Sequence, residues 1–390
     1  MSLAELQVLE REHVIPTYLR APVQFVRGAG ARLWDSEGNE YLDLLAGISV
    51  LNVGHCHPRV VAAIQAQAAE LSHTSNLYYN APAMELCAAL ARGSLGGKVF
   101  LCNSGAEANE AAIKLARRGR PEGEIVVLRD GFHGRTYGAL SATPQEAKQA
   151  PFAPLVPGFV AVEKDPAALR AAVGPQTAAV ILEPIQGESG IIPLSDELLL
   201  AARAACDEHG AALIFDEVQT GMGRTGTLWC YQQGPVVPDA LTSAKALGGG
   251  LPIGALLTAP GWADVLGPGD HGSTFAGGAL VCRAALEALE ICSDPELLEH
   301  VRVMGERFTE RLLELPYVEA VRGRGLLLGA VLRPGISAIE LASRALIEQR
   351  LVINAPAPSV LRIEPPLVIE AAQIDAAIER LAALGGFFTG

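Results

Sequence analysis

Between residues 58 and 215 the chain alternates two hydrophobic rhythms. Helical spacing over 58–71, 83–91, 106–118 and 198–208 is interrupted by short, unbroken apolar runs at 98–102, 125–128, 178–182 and 212–215. Apolar runs of that length read as strands buried on both faces, and the β-α alternation predicts a mainly parallel sheet with helices on both sides. Ahead of this region, runs at 23–26, 31–34 and 40–44 joined by Gly and Asn turns predict an antiparallel meander, preceded by a helix that stops before Pro16. After it, the pattern predicts one long helix from about Ala284 to Leu313, a strand at 326–332 and a helix at 338–349. Short strands near Val352 and Leu361 and a last helix from Ala371 complete it. The expectation is an α/β chain in three parts: a segment at 1–50 joining the small unit, a large unit at 51–285, and a small α+β unit at 286–390.

Composition narrows the picture. A chain of 390 residues is too long for one compact core, and half of it is hydrophobic. No apolar run reaches the ~18 residues needed to span a bilayer. The acidic, helical start is unlike a signal or transit peptide, so a cytoplasmic protein is expected. The net charge of −13 argues against nucleic acid and against an anionic membrane as partners. Seven scattered cysteines with no Cys-x-x-Cys pair fit a reducing compartment. His55-Cys56-His57 is not read as a metal site, because adjacent residues rarely chelate one ion without distant help.

In parallel sheets ligands bind beyond the carboxyl ends of the strands, and the residues there carry the chemistry. Run 98–102 is followed by Asn103-Ser104-Gly105, a capped helix start whose free amides and positive dipole end suit a phosphate. Run 125–128 leads to Phe132 and Arg135 in a glycine-rich loop, and run 178–182 to Glu183 and the loop holding Glu188. Run 212–215 ends in Asp216, a carboxylate that is costly to bury without a cationic partner. Lys245 is the single charged residue between Asp239 and Asp264 and precedes Gly248-Gly249-Gly250. A lone lysine before a glycine turn is ordinarily a surface residue. Kept out of water, it would be a neutral amine able to attack a carbonyl. Gly221-Met-Gly-Arg-Thr-Gly226 matches the dinucleotide pattern G-x-G-x-x-G, but it neither follows a strand directly nor opens a helix, so it is set aside. A phosphate site, an aromatic ring, a strand-end carboxylate and a lysine are together what pyridoxal 5'-phosphate requires.

Six motifs extend this. They are residues 103–114 (Asn-Ser-Gly-Ala-Glu-Ala-Asn-Glu-Ala-Ala-Ile-Lys), 131–136 (Gly-Phe-His-Gly-Arg-Thr) and 183–188 (Glu-Pro-Ile-Gln-Gly-Glu). The others are 215–226, the lysine segment, and 271–278 (His-Gly-Ser-Thr-Phe-Ala-Gly-Gly). With them the chain resembles the class III (ornithine/acetylornithine-type) aminotransferases of the fold-type-I pyridoxal phosphate group, over nearly its whole length. The resemblance implies that Lys245 bonds the cofactor aldehyde and then moves the proton. It places Asp216 at the pyridine nitrogen, Phe132 and Val218 on the two ring faces, and Gln219 near the ring hydroxyl. Ser104, Gly105 and Ala106 hold the phosphate, and Thr274 reaches it from the neighbouring subunit of a homodimer. Arg135 and Ser273 contact the substrate, and Glu188 and Arg362 form a switching pair. In the family the loop after Thr274 usually reads Gly-Gly-Asn-Pro-Leu; here it is Gly277-Gly-Ala-Leu-Val. The implied reaction passes the terminal amino group of N2-acetyl-L-ornithine to 2-oxoglutarate, in arginine biosynthesis. Ornithine, 4-aminobutyrate, succinylornithine or carrier-linked lysine are the rival donors, and an aminomutase is the rival class.

Overall fold

In the computed structural model, which describes residues 1–385, the apolar runs become strands whose alternate side chains enter two different cores. Val126 and Leu128, Val180 and Leu182, and Leu213 and Phe215 face one core with helix Asp196–His209. Ile125 and Val127, Ala179 and Ile181, and Ala212 and Ile214 face the other with helix Gly105–Gly119. Both faces of the sheet are therefore covered, which is why no polar residue interrupts these runs.

The sheet has seven strands, in the order Val99–Cys102, Gly254–Thr258, Ala240–Ser243, Ala212–Asp216, Thr177–Leu182, Glu124–Leu128, Phe159–Val162. Only Gly254–Thr258 runs against its neighbours. The fold is the α/β arrangement of the expectation, with strands at Phe159–Val162, Ala240–Ser243 and Gly254–Thr258 that the apolar runs alone did not disclose. Phe159–Val162 is an edge strand with no fully buried residue, although all four of its residues are apolar.

The N-terminal meander Phe25–Ala29, Arg32–Asp35, Glu40–Asp43 is antiparallel as expected, and Leu351–Val352 adds to it in parallel. A second antiparallel sheet joins Val318–Arg324, Leu327–Leu332, Val360–Ile363 and Asn354–Ala357. Helices Pro295–Leu313 and Ala338–Gln349 pack on it, and Ala371–Ala383 packs on both of those helices.

One expectation is corrected. The single helix over 284–313 is two helices, Ala279–Cys292 and Pro295–Leu313. Asp294 caps the second through Glu296 N–H, and Pro295 takes its first turn, where a missing amide costs nothing. The first helix packs on Pro58–Glu70 and Ala81–Arg92 of the large unit. We propose on that ground that the large and small units divide at Ser293-Asp294 rather than at 285.

Helix Pro295–Leu313 lies directly on the turn at Gly325. A Cβ at Gly305 would stand 2.2 Å from the Gly325 carbonyl oxygen. Gly305→Ala gains about 1 kcal/mol in helix propensity but forces backbone apart, at roughly 1–3 kcal/mol. The variant is expected to unfold at lower denaturant than the parent; an equal or higher midpoint would contradict the contact.

Candidate active site

The carboxyl ends of the sheet strands open onto a cleft of about 490 Å³, lined among others by Ser104, Phe132, Arg135, Glu188, Asp216 and Lys245. Lys245 lies one residue beyond strand Ala240–Ser243 and opens a short 3-10 turn, with φ of +44° in a region that side chains disfavour. The chain then turns back through Gly249 and Gly250, both at positive φ, so the glycines serve the bend that presents the lysine. Among the described residues no hydrogen bond or ion pair holds its Nζ. Burial pulls its pKa below the usual lysine value, against the opposing pull of Glu364 and Glu188.

Asp216, 4% exposed at the end of its strand, does have the partners that its burial demands. Its Oδ1 accepts the Val218 N–H at 3.0 Å. Its Oδ2 accepts from Asn109 Nδ2 at 2.7 Å and meets His133 Nδ1 at 2.8 Å. Asn109 also donates to the His133 carbonyl and accepts from Thr242 Oγ1, which fixes its amide orientation. Burial would strip the His133 proton, but the hydrogen bond and charge of Asp216, with Glu183 nearby, raise its pKa above the ordinary value. Neither Asn109 nor His133 received a role from the sequence. The signal was present: one is an asparagine on the alanine-rich face of a helix, the other a histidine in a loop between Gly131 and Gly134.

Ser104 caps helix Gly105–Gly119, its Oγ accepting the Glu107 N–H at 3.2 Å. The amides of Gly105 and Ala106 lie in the first turn, where no intrahelical acceptor exists. A Cβ on Gly105 would stand 2.8 Å from Val218 Cγ1, so glycine lets that side chain close over the helix start. Phe132 is tied back by its N–H to Glu183 Oε1 at 2.8 Å, and Arg135 and Lys148 flank its ring at 5.5 and 5.1 Å.

Glu188 and Arg362 meet as expected: Arg362 Nη1 donates to Glu188 Oε1 at 2.6 Å. Arg362 is buried on strand Val360–Ile363, whereas Glu188 is partly exposed on a loop. A second carboxylate, Glu364, was missed. It is fully buried, its Oε1 lies 3.3 Å from Arg362 Nε, and its Oε2 accepts from Ser49 Oγ at 2.7 Å and Gln219 Nε2 at 3.1 Å. Burial opposes the guanidinium charge, but Glu364 and Glu188 outweigh it and raise the Arg362 pKa. Ser273 and Thr274 do not line the cleft; they line a surface pocket with Asn76 and Leu77, and Ser273 Oγ accepts from Asn103 Nδ2 at 2.8 Å.

The profile of the family Aminotransferase class-III matches residues 16–384. The chain belongs to that family. The aminotransferase is 46% identical to the acetylornithine aminotransferase of Caldanaerobacter subterraneus over 95% of this chain and 97% of that one. It is 45% identical to the Methanocaldococcus jannaschii enzyme of the same name, over 96% of each. Among solved structures, ornithine aminotransferase from Toxoplasma gondii superposes with a TM-score of 0.94 at 34% identity, covering 100% of this chain and 96% of that one. Acetylornithine aminotransferase from Elizabethkingia anophelis gives 0.87 at 35%, covering 98% of each.

Class III aminotransferases depend on pyridoxal phosphate, and the cleft fits it. The fit rests on the unengaged Lys245 amine, the acceptor-free amides at Gly105 and Ala106, and the buried Asp216 carboxylate.

Glu183 offers a titration test of this polar cluster. It is buried, its two oxygens accept the Phe132 and Gly187 amides, and burial pushes its carboxyl up to about 7. A carboxyl raised on folding stabilises most below its unfolded value near 4.5 and loses that contribution as pH rises through about 7. Between pH 5 and 8, unfolding stability of the parent relative to Glu183→Gln should therefore fall, by an amount on the order of 2 kcal/mol. A difference that is flat or rises with pH would count against the cluster.

Proposed function

We propose that this aminotransferase moves the terminal amino group of N2-acetyl-L-ornithine to 2-oxoglutarate. The products are N-acetyl-L-glutamate 5-semialdehyde and L-glutamate, a step of arginine biosynthesis. The observation that carries this reading is the buried Arg362 held by Glu188 at the cleft. One site must accept a terminal amine with no carboxylate beside it and then a glutamate that has one. An arginine that is paired in the first case and freed in the second meets both demands, because a buried guanidinium is never left without a counter-charge.

Pyridoxal phosphate, when bound, supplies an aldehyde that receives the amino group and a ring that withdraws electrons from the reacting carbon. In this reading Ser104, Gly105 and Ala106 hold its phosphate at the helix N-terminus. Asp216, oriented by Asn109 and His133, would face the pyridine nitrogen. Phe132 and Val218 enclose the ring, and Gln219 lies at its hydroxyl. Arg135, exposed on the cleft wall, takes the substrate's distal carboxylate. Lys245 Nζ would hold the aldehyde and, when free of it, would take up and return the proton at the substrate carbon.

We further infer a homodimer with shared sites, in which Thr274 serves the neighbouring subunit's phosphate and Ser273 contacts substrate. Two things support it: Thr274 stands outside its own cleft, and Leu77, Tyr78, Tyr79 and Phe275 are exposed. A cytoplasmic location is proposed on the free thiols, most of them buried. No helix among the described residues is long and apolar enough to cross a membrane.

A steady-state comparison of amino donors against 2-oxoglutarate tests the substrate. N2-acetyl-L-ornithine should lead in kcat/KM. A lead of about tenfold, or ~1.4 kcal/mol, for ornithine or 4-aminobutyrate would overturn the substrate and leave the reaction class standing. Turnover without any added 2-oxoglutarate would instead mark an aminomutase. Lys245→Ala is expected to retain cofactor yet lose transamination by a factor on the order of 10³; ordinary turnover in that variant would refute the role of the lysine.

A further inference from the structure

Arg362 carries one positive charge and has two carboxylates against it, which are held very differently. Glu188 sits on a loop, its side chain 29% exposed, and touches the Nη1 edge of the guanidinium. Glu364 has no exposed surface and is clamped from behind by Ser49 and Gln219, side chains far from it in sequence. Its Oε1 lies 3.3 Å from Arg362 Nε but accepts no hydrogen bond, because Nε donates instead to Asn354 Oδ1 at 3.1 Å. The second carboxylate thus acts on Arg362 as a charge, without competing for its hydrogen bonds. Its Nη1 edge stays available for whichever anion comes.

We propose that Glu364 is a positioning residue: a fixed counter-charge that weakens the grip of Arg362 on any carboxylate at its Nη edge, so that the clamp releases its anion between half-reactions. This rests on the reading of Arg362 as the substrate clamp. The balance of charge explains why such a device is useful. A fully buried guanidinium whose only counter-charge was the exchanging anion would bind that anion very tightly, since the medium around it screens poorly. It would also pass through an uncompensated state each time one anion left before the next arrived. With Glu364 in place Arg362 is neutralised throughout, and the exchange swaps one anion for another at constant local charge.

Because Glu188 and the substrate carboxylate feel the same fixed charge, its effect cancels while they compete. It becomes visible when Glu188 cannot compete. The test is a double-mutant cycle on the cofactor-loaded enzyme, reading the inhibition constant of glutarate against 2-oxoglutarate. In a Glu188→Gln background, adding Glu364→Gln should tighten glutarate by about tenfold. In the parent background the same change should move it by less than about twofold. Asn354→Asp, which adds a second fixed charge on the same edge, should weaken glutarate in the Glu188→Gln background, giving an independent arm if Glu364→Gln fails to fold.

Unchanged or weaker glutarate binding in Glu188→Gln/Glu364→Gln would overturn the proposal, and weakening in both backgrounds would mark Glu364 as merely structural. Arg362→Gln separates this failure from that of the clamp itself. If it leaves the glutarate constant unchanged, the clamp reading falls. If it weakens glutarate while Glu364→Gln tightens nothing, only the role of Glu364 falls.

Discussion

The buried carboxylate of Asp216 sets the terms for the site. An anion at the end of an apolar strand costs several kcal/mol unless hydrogen bonds and opposite charge surround it. Here the cost is offset by Asn109, His133 and the Val218 amide, which come from three different stretches. Asn109 lies one turn into the helix whose N-terminus carries the free amides of Gly105 and Ala106. His133 follows Phe132 in the loop that carries the aromatic wall. Satisfying one carboxylate therefore fixes the relative positions of the helix start, the ring face and the strand end.

The same rule joins distant parts of the chain. Arg362 lies on strand Val360–Ile363 and Glu188 on a loop 174 positions earlier, and their pairing holds the two together. Arg224 does so more rigidly. It is fully buried, and its guanidinium donates to the carbonyls of Leu326 and Pro365 and to Asn52 Oδ1. That is the use of the glycine-rich stretch 221–226: Gly223 and Gly226 adopt positive φ so that the loop can carry Arg224 to Leu326 and Pro365. Its likeness to a dinucleotide fingerprint reflects only a shared need for tight backbone.

What the sequence disclosed, and what it withheld, follows from the range of each interaction. Strands buried on both faces announce themselves as apolar runs, and capped helices by their N-terminal residues, because both signals are local. The edge strand Phe159–Val162 carries the same kind of apolar run while only partly buried, so the run does not tell an edge from a centre. The helix break at Ser293–Pro295 was overridden by apolar spacing on either side. Lys245 and Asp216 stood out because a charge in an apolar setting is locally anomalous. Glu364 did not, since its meaning depends on Ser49, 315 positions away, and on an arginine that belongs to another argument. Asn109 and His133 lay inside recognised motifs, yet only the folded chain shows that both converge on one carboxylate oxygen.

Lys245 is where these constraints meet. Its backbone is held in a disfavoured conformation, at a cost of order 1–3 kcal/mol, and its amine is drawn toward the neutral form by burial while Glu364 and Glu188 resist. A nucleophile needs the neutral form, whereas a proton carrier must also be able to take up the charge. The nearby carboxylates therefore belong to the lysine's chemistry as well as to the clamp's. If a substrate carboxylate replaces Glu188 at the same edge of Arg362, one negative charge is exchanged for another. The field at the Lys245 amine then stays nearly the same in both half-reactions. One lysine can in this way serve two chemically unlike substrates without being retuned between them.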